Sequence, residues 1–292
     1  MNNKKIIAAI KREFLEHKKL LIGTFFYITV VSFVFLVYGL YKLSALFVSR
    51  GAMEIKINGN MKSLSELDFS MMSSGYLSFI GLIALVVSIY YLLSCLYDDR
   101  KDRSILFWKS MPVSEVQTVL VKLVFGLYMI PLLSLILGLV SLLVNALVIS
   151  VWADWMTPLD FGYVFSGLKL FSVFWHKFVF SIVGSIWILP FFTWLLLASA
   201  YSKKSPLLIA VVPPLTLTVF EKVFFGSSTL TSLIRAYLPD LKQYSYRNSS
   251  VADMLSDHLA VFAQGPNVYW GLVVSVAFVI AAIWLRNNRY VI

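Results

Sequence analysis

The sequence predicts an all-α integral membrane protein: six transmembrane helices preceded by an N-terminal interfacial amphipathic helix. Three observations carry that prediction. Hydrophobic residues make up 59% of 292 and charged residues only 14%, with a mean hydropathy of +0.81; a water-facing domain is about one quarter charged. Five uncharged runs, Leu20–Tyr41, Phe69–Tyr97, Leu123–Ala153, Phe178–Ser202 and Leu259–Leu285, each exceed the roughly 20 residues that cross about 30 Å of hydrocarbon as a helix. The 25 Lys and Arg residues are spread unevenly between the connections, which gives the spans an orientation.

The whole chain, 1–292, reads as one transmembrane domain. Residues 3–19 contain Ile6, Ile7, Ile10 and Phe14 at helical spacing with lysines between them, the pattern of a helix lying in the membrane interface. They are too charged, and the next apolar run too long, for a cleaved signal peptide, so the first span is expected at about 20–41. The others are expected at about 74–97, 119–150, 178–200, 206–226 and 268–286. The span at 206–226 is the weakest, because it carries Pro213-Pro214 in its middle and Glu221-Lys222 near one end. It is expected to be irregular and to face protein rather than lipid.

With the N-terminus in the cytosol, most of the Lys and Arg residues fall on the inner side, in short segments. These are the N-terminal stretch, the connection at 98–115, Lys203-Lys204, and Arg286 and Arg289 near the C-terminus. Both termini are then cytosolic, and the net charge of +10 reflects topology rather than nucleic-acid binding. The external connections, 42–73, 151–177 and 227–267, are too short for independent domains. The second is rich in aromatics (Trp152, Trp155, Phe161, Tyr163, Phe171, Trp175), as expected of a belt at the headgroup level.

Motifs of catalysis are missing. The three histidines, His17, His176 and His258, are scattered, and no HExxH, GxSxG or GxxxxGK[ST] occurs, so nucleotide phosphates have no P-loop here. Cys95 is alone and forms no intramolecular disulfide. No catalytic, metal-binding or cofactor-binding residue is assigned. Three membrane-embedded features stand out as candidates for a translocation path or subunit interface. Asn145, deep in the third span, suits an interhelical hydrogen bond. Pro213 and Pro214 free backbone carbonyls, as a hinge or as a static kink. Glu221 lies about 21 Å of helix rise from Leu207, either lining a path within the bilayer or sitting in wet headgroups past the helix end.

The stretch YDDRKDRSILFWKSMPVS, 97–114, sits on the cytosolic side. Pro112 stops what precedes it, and Ser114-x-x-Gln117 reads as a capping box opening the third span. Before Pro112, Asp102–Lys109 is long enough for about two helical turns, too short to be stable without something to pack against.

This stretch resembles the permease subunits of type-2 ABC exporters. The resemblance rests on the cluster Asp98–Ser104, the apolar piece after it, Lys109–Ser114, and Lys122 eight residues past Ser114. Asp99-Arg100 stands where Glu-Arg is usual. The layout of an amphipathic N-terminal helix, six spans and no ATPase motif agrees. The resemblance implies a type-2 ABC exporter permease-like fold in a bacterial inner membrane, paired with a second permease copy as a homodimer and embedded in the lipid bilayer. It also implies docking on a separate ATP-binding subunit, which would hold the ATP and Mg. The helix in 98–115 would be the coupling helix, with Arg100, Arg103, Phe107, Trp108 and Lys109 as docking residues. The rival classes are an intramembrane enzyme, and a non-transporting membrane anchor or sensor coupled to an ABC ATPase.

Overall fold

A computed structural model of the chain describes residues 3–48, 54–57, 60–63, 70–102, 114–156, 162, 165–166, 169–226, 229, 232 and 266–288. Six helices in it are long and apolar enough to cross a membrane. In chain order come α1 (Asn3–Glu16), α2 (Lys18–Val48), strands β1 (Glu54–Ile57) and β2 (Asn60–Ser63), α3 (Ser70–Lys101), α4 (Glu115–Val124), a π-helical turn (Phe125–Met129), α5 (Ile130–Met156), α6 (Leu170–Tyr201), α7 (Pro206–Phe225) and α8 (Pro266–Asn288). The third span runs through α4, the π turn and α5.

The strands depart from the all-α expectation. They pair antiparallel from Glu54↔Ser63 to Ile57↔Asn60, inside the connection read as an external loop. Asn58-Gly59 joins them, and this dipeptide is the strongest short-range hairpin signal in a sequence.

The chain divides into two compact units, one of residues 1–18, 85–131 and 179–292, the other of 19–84 and 132–178. At buried positions of the second unit, neutral groups join helices, while Lys177 Nζ on α6 donates to the exposed Ser78 hydroxyl on α3 at 2.8 Å. Asn145 on α5 is buried and donates through Nδ2 to the hydroxyl of Ser32 on α2 at 3.0 Å. The hydroxyls of Tyr76 and Ser141 meet at 2.6 Å. A Cβ on Gly138 would stand 3.1 Å from Ile80 Cγ2 and 3.3 Å from Leu77 Cδ2, so α3 and α5 approach closely there, as small residues permit in membrane helices.

In the first unit α7 is the fifth span, expected to face protein, and within this chain most of it is open. Only 11% of its apolar window is buried, against 44% for α3, and Leu207, Leu208, Val211, Val212 and Leu215 are exposed. Within this chain it packs on protein least of the six spans. Pro213 and Pro214 lie inside it without ending it.

The third span shows why its helix changes pitch. Ser114 caps α4, its hydroxyl accepting from Gln117 N at 3.2 Å, as the capping box predicts. At the far end of the π turn the Ile130 N–H donates to Phe125 O, five residues back. Pro131 follows directly. In an unbroken α-helix its ring would press on the carbonyl four residues earlier and it would supply no N–H. The wider turn takes up that misfit.

Candidate functional site

The described residues flanking the charged connection converge on a buried lattice of ion pairs within the first unit. Its centre is Lys122, two turns into α4 and fully buried. Its Nζ lies 3.2 Å from Glu13 Oε1 on α1 and 3.4 Å from Asp99 Oδ1 at the end of α3. The other oxygen of Asp99 accepts from Arg286 Nη1 at 2.8 Å, near the end of α8. Arg286 also pairs through Nε with Glu115, in the first turn of α4. On the α1 side, Glu13 accepts from Arg12 Nη2 at 2.6 Å and from the Tyr91 hydroxyl at 2.8 Å. Three carboxylates (Glu13, Asp99, Glu115) thus face three cations (Arg12, Lys122, Arg286).

Local sequence places each member. Glu115 is in the first turn of its helix and Arg286 in the last turn of another, the positions where the helix dipole favours each sign. Lys122 lies in the last turn of α4, but the span continues past it through the π turn, so the dipole explains neither its burial nor that of Glu13. Burying either alone is costly, so each requires the other.

Charge also ties α3 to α6. Arg100, buried, donates through Nη2 to Ser199 O at 2.6 Å and to Ser202 O at 2.8 Å, closing carbonyls at the end of α6 that lack helical donors. The Ser199 hydroxyl accepts from Leu96 N and Tyr97 N at 3.2 and 3.1 Å, and the Tyr97 hydroxyl donates to Lys204 O at 3.1 Å.

The titratable groups of α1 feel this surrounding. Burial by itself would push the Glu13 carboxyl up, but Lys122, Arg12 and the Tyr91 hydroxyl outweigh it and hold it at about 2. Burial and the nearby Glu13 charge raise Glu16. Burial, then Lys122, lowers His17, whose ring meets Tyr91 edge-on at 4.8 Å. Glu13, Glu16 and His17 bring ligand atoms within 4.8 Å of one another, a spacing that could clasp a cation. However, Lys122 and Arg12 already occupy the Glu13 carboxylate, and a divalent ion there would face both positive charges. The turn belongs to the ion-pair lattice.

The residues singled out from the sequence fare unequally. Arg103, Phe107, Trp108 and Lys109 lie outside the described residues. Arg100 is only 6% exposed and its guanidinium faces carbonyls of its own chain, so as placed it offers nothing to an outside partner. Asn145 makes the interhelical hydrogen bond expected of it, to Ser32. Glu221 is buried in the last turns of α7 and accepts from the backbone N–H of Thr229 at 2.6 Å and from its hydroxyl. Its helix continues past it to Phe225 and closes on Gly226 at φ 59°, the left-handed conformation glycine takes without strain.

Glu13, Asp99, Glu115 and Arg286 went unmarked as site residues in the sequence. Their shared signal is opposite charge within a turn or two of an apolar run.

No protein-family model, curated protein or solved structure matches the chain. Six long apolar helices define a multi-pass helical membrane protein.

Proposed function

We propose that this chain is the membrane-spanning permease subunit of an ATP-binding-cassette exporter, moving a substrate out of the cytoplasm with ATP hydrolysed by a separate subunit. The observation that carries the reading is the contact of Lys122 with Asp99 at 3.4 Å. It closes the base of the connection 102–114 by a buried charge pair. A loop that only joined two spans would need no such tie, since buried ion pairs add little net stability. A loop that receives force needs its two ends joined to each other and to the helices that must follow.

Arg286 and Glu13 extend the tie to α8 and α1, and Arg100 extends it to α6. Docking then falls to Arg103, Phe107, Trp108 and Lys109, with charge steering the encounter and aromatics anchoring it. Arg100 holds the loop's base instead. The assembly we envisage pairs two permease copies, each on one ATP-binding subunit, in a bacterial inner membrane with both termini cytosolic.

The test is copurification of the tagged chain from its native membrane in mild detergent. An ATP-binding-cassette subunit should accompany the wild type and be lost with Phe107→Ala/Trp108→Ala. A wild type that emerges without such a subunit, or a double variant that retains it fully, would overturn the docking assignment.

A further inference from the structure

The lattice and the π turn divide the third span into parts held in different ways. Glu115–Val124 is gripped on several sides by charge: Glu115 to Arg286, and Lys122 to Glu13 and Asp99. These pairs fix its place against α1, the end of α3 and the end of α8, because parting any of them leaves a buried charge short of a partner. Immediately afterwards the backbone ladder loosens. The Phe125 N–H is shared between Lys122 O and Val121 O. The Ile130 N–H goes to Phe125 O, and Pro131 has no N–H. The Gly126 carbonyl has therefore lost its usual donor four residues on and can find none five residues on.

The same turn holds the point of closest approach to α3. A Cβ on Gly126 would stand 2.8 Å from Leu92 Cδ2 and Cγ and 3.2 Å from Tyr91 Cδ1. Phe125 and Ile130, each 1% exposed, hold the turn in place on either side, and the Phe125 ring packs on Tyr91 at 5.1 Å. A joint that turns without sliding needs these features together: a weakened ladder, a close fulcrum and buried shoulders.

We infer that the π-helical turn Phe125–Met129 is a joint about which the charge-gripped segment Glu115–Val124 tilts as one lever with α1 and the end of α8. The inference goes beyond the transport reading and holds for any motion entering at the loop.

The test is backbone hydrogen exchange on the purified full chain in detergent micelles. Amides of residues 125–130 should exchange on the order of tenfold faster than those of 117–123 and 133–139, despite their burial. Deleting Tyr128 together with Pro131→Leu should remove the wide turn and the proline misfit at once while keeping both flanks in register, and should slow exchange at 125–130 to the flanking rate. Pro131→Leu alone restores the missing N–H and should slow it as well, which keeps the test open if the deletion does not fold. Uniform protection in the wild type overturns the joint. Fast exchange persisting in whichever variants fold overturns it too. Neither result touches copurification with an ATPase, so the two readings fail separately.

Discussion

The two units of this chain bind helices to helices by opposite means. In the first, Lys122, Glu13, Asp99 and Arg286 are buried as charges and paired with one another. In the second, Asn145 meets Ser32, Tyr76 meets Ser141, and Gly138 lets α5 close on α3. The physical difference lies in what remains when a partner is lost. A neutral hydrogen bond within a membrane protein is worth about 0.6 kcal/mol, rarely above 1.7. An ionised group stripped of its partner keeps its full desolvation cost. The first unit should therefore be brittle and the second forgiving, and that contrast can be broken at either end.

The largest effect should come from Lys122→Met. It leaves two buried carboxylates, Glu13 and Asp99, each short of one cation though still paired with Arg12 and Arg286, and should destabilise the protein by about 3 kcal/mol, read from thermal unfolding in detergent. Adding Glu13→Gln and Asp99→Asn should return part of that loss, because the penalty belongs to the stranded charges. Burying polar groups without charge still costs something, so recovery should be partial. A single variant within about 1 kcal/mol of wild type would mean the lattice is more open to water than its burial implies.

Asn145→Ala should cost far less, about 0.6 kcal/mol and not beyond about 2. Ser32→Ala should cost no more, since Asn145 can still donate to the Ser32 carbonyl at 3.4 Å, and the double variant little more than Asn145→Ala, because the two changes share the hydroxyl contact. If Asn145→Ala proves as damaging as Lys122→Met, charge is not what separates the two units.

This contrast also explains what the sequence could reveal. The six spans were legible because the bilayer sets a length and a composition that 20 or so residues must meet. The cap at Ser114 was legible because Gln117 lies three residues on, within the same turn. The hairpin was legible in Asn58-Gly59 and was passed over in a chain this apolar. The lattice is different in kind. Lys122 meets Asp99 at a separation of 23 residues and Glu13 at 109, and Asp99 meets Arg286 at 187. Which of many flanking charges pair across such separations is decided by how each helix rotates about its axis, which no local pattern records. Glu221 is a related case: its partner, the Thr229 backbone N–H, lies eight residues on and meets it only once the chain has folded back.

The smallest expected effect is one of pH, and it isolates the α1 edge of the lattice. Glu13, Lys122, Asp99, Arg12 and Tyr91 bear on His17. With its folded value lowered below the ordinary 6.5, His17 is protonated in the unfolded chain before the folded one. Stability should therefore fall as pH drops below about 6.5. Glu13, held at about 2 against an ordinary 4.5, contributes stability that is present above 4.5 and lost only as pH falls toward 2, so it is silent near neutrality. Glu16, raised, works the other way, gaining stability as pH falls through its raised folded value toward 4.5. Thermal unfolding followed from pH 8 to 5.5 should thus show a shallow decline on the acid side that His17→Gln flattens. A wild-type midpoint that stays level, or a His17→Gln profile of unchanged slope, would show that neither burial nor the Lys122 charge disfavours the protonated His17 ring in the folded chain.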